Sequence, residues 1–169
     1  EQREGSSAAR SLPGAGEELG VQVEKALKAK AEELKIPVRY NTSVVKLLYG
    51  DDGAVSGIVL SADGKEETID CLAVVATDPE LLPLFEELKT VNGADGNAAG
   101  VVVTSCAEAI MPGSEEEEKA VPGLYAAGRI IEAAAHGAGA LEGNEMVSMA
   151  VYGMTAGTEA AIYIGDASR

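Results

Sequence analysis

The sequence predicts an α/β fold with a central, largely parallel sheet, an antiparallel β-meander insert and a long C-terminal helix. Three observations carry that expectation. An apolar stripe at helical spacing runs from Leu19 to Leu34. Runs rich in β-branched residues, separated by Asp-Gly turns, fill residues 38–70. Two short apolar runs, Leu72-Ala73-Val74-Val75-Ala76 and Leu124-Tyr125-Ala126-Ala127, do not alternate, as expected of strands covered on both faces in a parallel sheet.

Taken in order, residues 1–16 lack periodicity and read as an extended N-terminal arm, and residues 17–165 read as a single domain. Leu19, Val23, Ala26, Leu27, Lys30, Ala31 and Leu34 mark the first helix, whose aliphatic members are expected to face a core. Lys28, Lys30 and Lys35 complement the dipole toward its end, and Pro37 stops it. Val38 to Tyr40 reads as a short strand and Val44 to Tyr49 as a second. Asp51-Asp52-Gly53 turns into Ala54 to Ser61, and Ala62-Asp63-Gly64 turns into a return run ending at Asp70.

After the first buried run, Asp78-Pro79 breaks the chain and Glu80 to Lys89 reads as a short helix. VNGADGNAAG is a connection, Val101 to Val103 is strand-like, and the four glutamates at 115–118 form a solvated loop. The second buried run ends at Gly128. The last helix starts near Glu142 or Gly143 and runs to about Ile164, with close helix–sheet packing expected at Gly153 and Gly157. No internal repeat is visible.

The 169 residues suffice for one domain with a core. Aromatics are only 4% of them, so the core must be filled by Ala, Val, Leu, Ile and Gly. The net charge is −15, which weighs against a nucleic-acid partner and against a bare anionic membrane. It suits a basic protein surface. Cys71 and Cys106 have no metal-ligand spacing and read as reduced, mostly buried small residues. Met146 to Ile164 is the one stretch resembling a membrane span. Its Glu159, Thr155, Thr158 and Ser148 make it a poor one, so no membrane span is expected. The absence of an initiator Met is read as processing, which points to an organelle, plastid or mitochondrion.

Three stretches resemble the fumarate reductase and succinate dehydrogenase flavoprotein family, the FAD-binding type 2 oxidoreductases. The first is ALKAKAEELKIPVRYNTSVVKLLYGDDGAVSGIVL followed by DCLAVVATD, similar to the family's helix, strand, meander and AVVLATGG strand. The second is VPGLYAAGR, similar to IPGLYAAGE. The third is HGAGALEGNEMVSMAVYGMTAG, similar to HGANRLGGNALLDCLVFGRIAG. The resemblance implies a partial FAD-binding, Rossmann-like fold. If FAD is retained, it implies that Thr77, Gly128, Gly143 and Asn144 contact the cofactor, and that His136 is a vestige of the dicarboxylate site.

The departures from the family fall on the chemistry. No GxGxxG turn occurs, and the stretch joining Asp78 to the next strand is too short for a cap domain. The family's substrate arginine aligns with Ala140, which cannot clamp a carboxylate. Arg129 stands where the family has an acid. Glu142 and Glu145 bring carboxylates to the helix start, where they repel a reduced flavin. The expectation is therefore a degenerate, non-catalytic relative without cofactor, serving as a structural or interaction subunit whose partner chains present a basic or apolar surface. The alternative is an FAD-binding fragment of a split or trimmed oxidoreductase. A third reading is a small binding module that holds an anion at the HGAGALEGN loop.

Overall fold

The computed structural model describes residues 19–85, 87–92, 99–112, 119–137 and 144–168. Helix α1 spans Leu19–Glu33. It closes in a Schellman arrangement: the Ile36 amide donates to the Ala31 carbonyl at 2.9 Å, and the Lys35 amide to Glu32 at 3.0 Å. Lys35 takes the left-handed position with φ 54°. The apolar stripe of α1 does not face a core. No residue of the helix is buried, and Leu27 is 66% exposed. What organises its surface is ion pairing one turn apart, Glu24 with Lys28 and Lys30 with Glu33.

Val38–Tyr40 does not form the expected strand. These residues are exposed and join no ladder. Arg39 instead reaches across to Glu67, with a first contact of 2.7 Å and a second of 3.3 Å. The meander follows as β1 (Ser43–Tyr49), β2 (Val55–Ala62) and β3 (Lys65–Asp70), all antiparallel in the order β1-β2-β3. Asp52 fixes its first turn by accepting the Ala54 amide at 3.0 Å, and Asp63-Gly64 supplies the left-handed pair for its second.

The central sheet is smaller and more mixed than the sequence implies. Strands β4 (Val74–Ala76), β5 (Thr90–Val91), β6 (Gly100–Val101), β7 (Glu108–Met111) and β8 (Lys119–Ala126) follow in turn. Their order is β4-β8-β7, with only β4 and β8 parallel, while β5 and β6 make a separate two-stranded ladder. The parallel pairing sets Val74 against Leu124 and Ala76 against Ala126. β8 is longer than the apolar run alone, because Lys119 and Ala120 pair antiparallel with β7 before the chain reaches β4. The predicted strand at Val101–Val103 shrinks to β6 and a bridge from Val103 to Ala109. The predicted helix at Glu80–Lys89 is a 3-10 turn over Pro79–Phe85, shortened by Pro83.

A second 3-10 turn, Gly128–Ile131, leads into helix α2 (Glu132–His136), and helix α3 covers Asn144–Ala167. The main core gathers Val55, Ala76, Val101, Leu124, Ile130 and Ile131, and the meander reaches it through Leu47 and Val55. A smaller cluster, Ala107, Tyr125, Ala127, Ala156 and Ala160, glues α3 to the sheet. No helix among the described residues is long and apolar enough to cross a membrane. Cys71 and Cys106 are free and half-buried, and no group of metal-binding side chains occurs among the described residues. The expected arm at 1–16 and the glutamate run at 115–118 lie outside those residues.

Candidate functional site

The parallel strands β4 and β8 end together. Ala127 donates to the Ala76 carbonyl at 2.9 Å, and the Ile130 amide then reaches the Thr77 carbonyl at 3.3 Å. In α/β sheets, ligands bind outside such carboxyl ends. Thr77 and Gly128 therefore meet where the sequence places them. Gly128 has φ +70°, and a Cβ built on it lies 3.3 Å from the Thr77 carbonyl oxygen and 3.6 Å from the Thr77 Cβ. A Cβ there would be in tight contact with the Thr77 carbonyl, and the positive φ is the stronger reason for a glycine at this position.

Around this junction the side chains turn onto their own chain. The Asp78 carboxylate accepts the Glu80 amide at 3.0 Å, which starts the 3-10 turn. Arg129, where the family has an acid, sits 3.9 Å from the same carboxylate, and both groups are exposed. Such a pair contributes little to stability, but it places opposite charges at the mouth of the strand ends.

His136 is not in a loop. It is the last residue of α2, and Gly137 follows with φ 57°. The signal was the run Glu132-Ala133-Ala134-Ala135, strong helix formers directly before it. α2 lies close against β6: a Cβ on Gly100 would stand 2.9 Å from the Ala134 nitrogen. The His136 Nε2 is buried without a hydrogen-bond partner among the described residues. Asn144 opens α3 and is exposed, with Glu145 in the same first turn. Gly143, Ala140 and Glu142 lie outside the described residues.

The helix α3 runs against β8 so that Tyr163 packs on Gly123, Glu159 meets Tyr125, and Ala156 joins Ala127 in one cluster. The helix start at Asn144 is then twelve residues further along, about 18 Å at 1.5 Å per residue. No side-chain hydrogen bond or ion pair joins His136 or Asn144 to Thr77 or Gly128 among the described residues. A walled cleft lies elsewhere, lined by Tyr49, Gly53, Glu87, Leu88, Met111 and Val121, beside the opposite end of β8. Burial, with a smaller contribution from Glu87, pushes the Tyr49 phenol up there. Nothing in the sequence marks this cleft, because its walls come from four separate segments.

Parallel strand ends that open on a glycine turn are a place where α/β proteins bind ligands. Residues 75–146 match the family described as the FAD binding domain. That stretch is less than half of the chain's length, and the family model it matches is the domain of the fumarate reductase and succinate dehydrogenase flavoproteins. The match takes in Thr77, Gly128, His136 and Asn144 together. No curated protein matches the chain significantly.

Proposed function

We propose that this chain is a non-catalytic piece of flavoprotein descent that works as a structural or interaction subunit of a larger assembly. One observation carries the reading: the strand ends close on each other where Gly128 comes into contact distance of Thr77. The charges agree with it. Asp78 and Arg129 stand at the mouth of the strand ends, and Glu145 sits in the first turn of α3, where a carboxylate disfavours a bound anion. No reaction step is assigned to these residues. The partner chains present a basic or apolar surface, in keeping with the net charge of −15.

The second reading, an FAD-binding fragment of a split or trimmed oxidoreductase, is favoured by the family match itself, which spans all four described candidate residues. Visible absorption and acid extraction of the purified native complex decide between the two. A colourless complex without extractable FAD supports the interaction subunit. A stoichiometric flavin that dissociates when Asn144 is replaced by Leu overturns it.

A further inference from the structure

The cleft beside the far end of β8 has the parts of a binding site for a small cation. Its walls are held by backbone hydrogen bonds. The Lys89 amide donates to the Ile110 carbonyl at 2.7 Å and the Leu88 amide to Phe85 at 2.9 Å, which fixes Leu88 against β7. On the meander side, the Gly50 amide donates to Ala54 at 2.9 Å and the Gly53 amide to Gly50 at 3.0 Å, which sets the turn after Tyr49. Leu88 and Val121 are buried and make an apolar floor, while Tyr49 and Met111 stand exposed at the rim. A site built this way exists before its ligand arrives.

Two polar side chains line the cleft, the Tyr49 phenol and the Glu87 carboxylate. Among the described residues, neither makes a hydrogen bond or an ion pair. They sense one another, since the Glu87 charge adds to burial in keeping the phenol neutral. No lysine, arginine or histidine is among the described residues that line the cleft. The site therefore offers one negative charge, one neutral oxygen able to accept, an aromatic ring and apolar walls.

Those features select the ligand. Glu87 repels an anion. A wholly apolar molecule would strip water from the carboxylate without replacing its hydrogen bonds. A metal ion lacks ligands there, because no group of three metal-binding side chains occurs among the described residues. A primary ammonium has three donors, enough for the carboxylate, the phenol oxygen and a water, and a cation near a tyrosine ring gains further. The cleft holds about 200 Å³, less than the ~300 Å³ of the smallest sites for drug-sized ligands, so the charged head carries only a short stem. We propose that this cleft binds a small free amine, a primary ammonium on a short unbranched apolar stem, its head between Glu87 and Tyr49 and its stem along Leu88, Met111 and Val121. A protein's lysine shares the head but brings peptide groups that would lose water against Tyr49 and Met111 at the rim. The inference does not depend on the reading of the chain as an interaction subunit.

The test titrates the 169-residue chain with n-pentylammonium chloride and follows methyl and amide resonances. Salt at about 0.15 M screens the general acidity of the surface beyond about 8 Å. The expected result is saturable shifts confined to the methyls of Leu88, Met111 and Val121 and the amides beside them. On the unaltered chain, n-pentanol and methylammonium should each bind at least about fivefold more weakly, because each lacks one half of the contacts. Glu87→Gln should weaken pentylammonium about tenfold and Tyr49→Leu about two- to fivefold. Glu66→Gln, an equal charge change on the exposed edge of the meander, should leave binding unchanged. Melting curves check that the variants fold, and the ligand comparison on the unaltered chain decides the question where one does not. Shifts spread over the acidic surface, pentanol binding as tightly as the amine, no effect of Glu87→Gln, tighter binding of a capped lysine, or no saturable shift at all would each overturn the proposal. Flavin in the native complex would remove the non-catalytic reading and leave the titration result standing.

Discussion

The phenol of Tyr125 donates to the carbonyl of Glu159 at 3.4 Å and so ties the C-terminal end of β8 to α3 across the smaller core. Burial, with Glu108 and Glu159 adding to it, pushes the Tyr125 phenol up to about 12. An unfolded tyrosine loses its proton near 10. The folded chain therefore holds this proton more tightly, and the stability it contributes is complete below about pH 10 and lost as pH rises through about 12. Denaturant midpoints measured from pH 8 to 12 should fall in that window. Tyr125→Phe should flatten much of the slope while lowering stability at neutral pH by about 0.5–1 kcal/mol. Tyr49 shifts in the same direction, so a residual slope remains. An unchanged slope in the Phe variant would mean that Tyr125 is not the titrating group.

Two leucines separate the packed part of the chain from its periphery. Leu124 is 1% exposed in the main core, and Leu27 is 66% exposed on α1. Leu124→Ala should destabilise by about 2–5 kcal/mol through the cavity it leaves. Leu27→Ala should stay within about 0.5 kcal/mol. Urea titrations of both variants check this, and a large loss at Leu27 would show that α1 packs in solution.

Gly123 has φ +78°, and a Cβ there would collide with the Leu72 carbonyl oxygen and crowd Tyr163 at 3.2 Å. The tight turn of β8 past Leu72 depends on that missing atom. Gly123→Ala should cost about 1–3 kcal/mol from the backbone conformation alone, with the collision adding to it. Soluble expression and a melting curve measure the effect, and a neutral substitution would contradict the placement of β8.

Gly153 and Gly157 behave in the opposite way. With nothing among the described residues within 4 Å of where each Cβ would go, Ala at either position should stabilise the chain by about 1 kcal/mol, the ordinary helix preference. Differential scanning calorimetry on the single and double variants reads this directly. A loss of stability on substitution would mean that an intramolecular neighbour lies against these glycines.

Much of this architecture was legible because local rules decide it. The meander announced itself through Asp52, Asp63 and Gly64, whose turns fix its register, and the buried strand at Leu124 through an apolar run without alternation. The stop at Pro37 was equally plain. What failed were inferences about partners at a distance. The stripe on α1 predicted a core that nothing in the described chain supplies, and Val38–Tyr40 looked like a strand but found no ladder to join. The two non-alternating runs did pair in parallel, yet β7 took the other side of β8, so the sheet is mixed. At the site, Thr77 and Gly128 came together as motif order implied, because both end neighbouring strands. His136 was hidden by its glycine-rich sequel, which drew attention from the alanines before it.

The two three-stranded sheets differ in how much chain must be gathered to make them. β1, β2 and β3 are consecutive hairpins, so each rung joins segments already close together. β4 finds its partner only when Val74 meets Leu124, 50 residues later, with the first 3-10 turn and strands β5, β6 and β7 between them. Closing so long a segment carries a large loss of chain entropy before the core can compensate. Chain entropy therefore favours early pairing in the meander and late closure of the parallel junction beside Thr77 and Gly128.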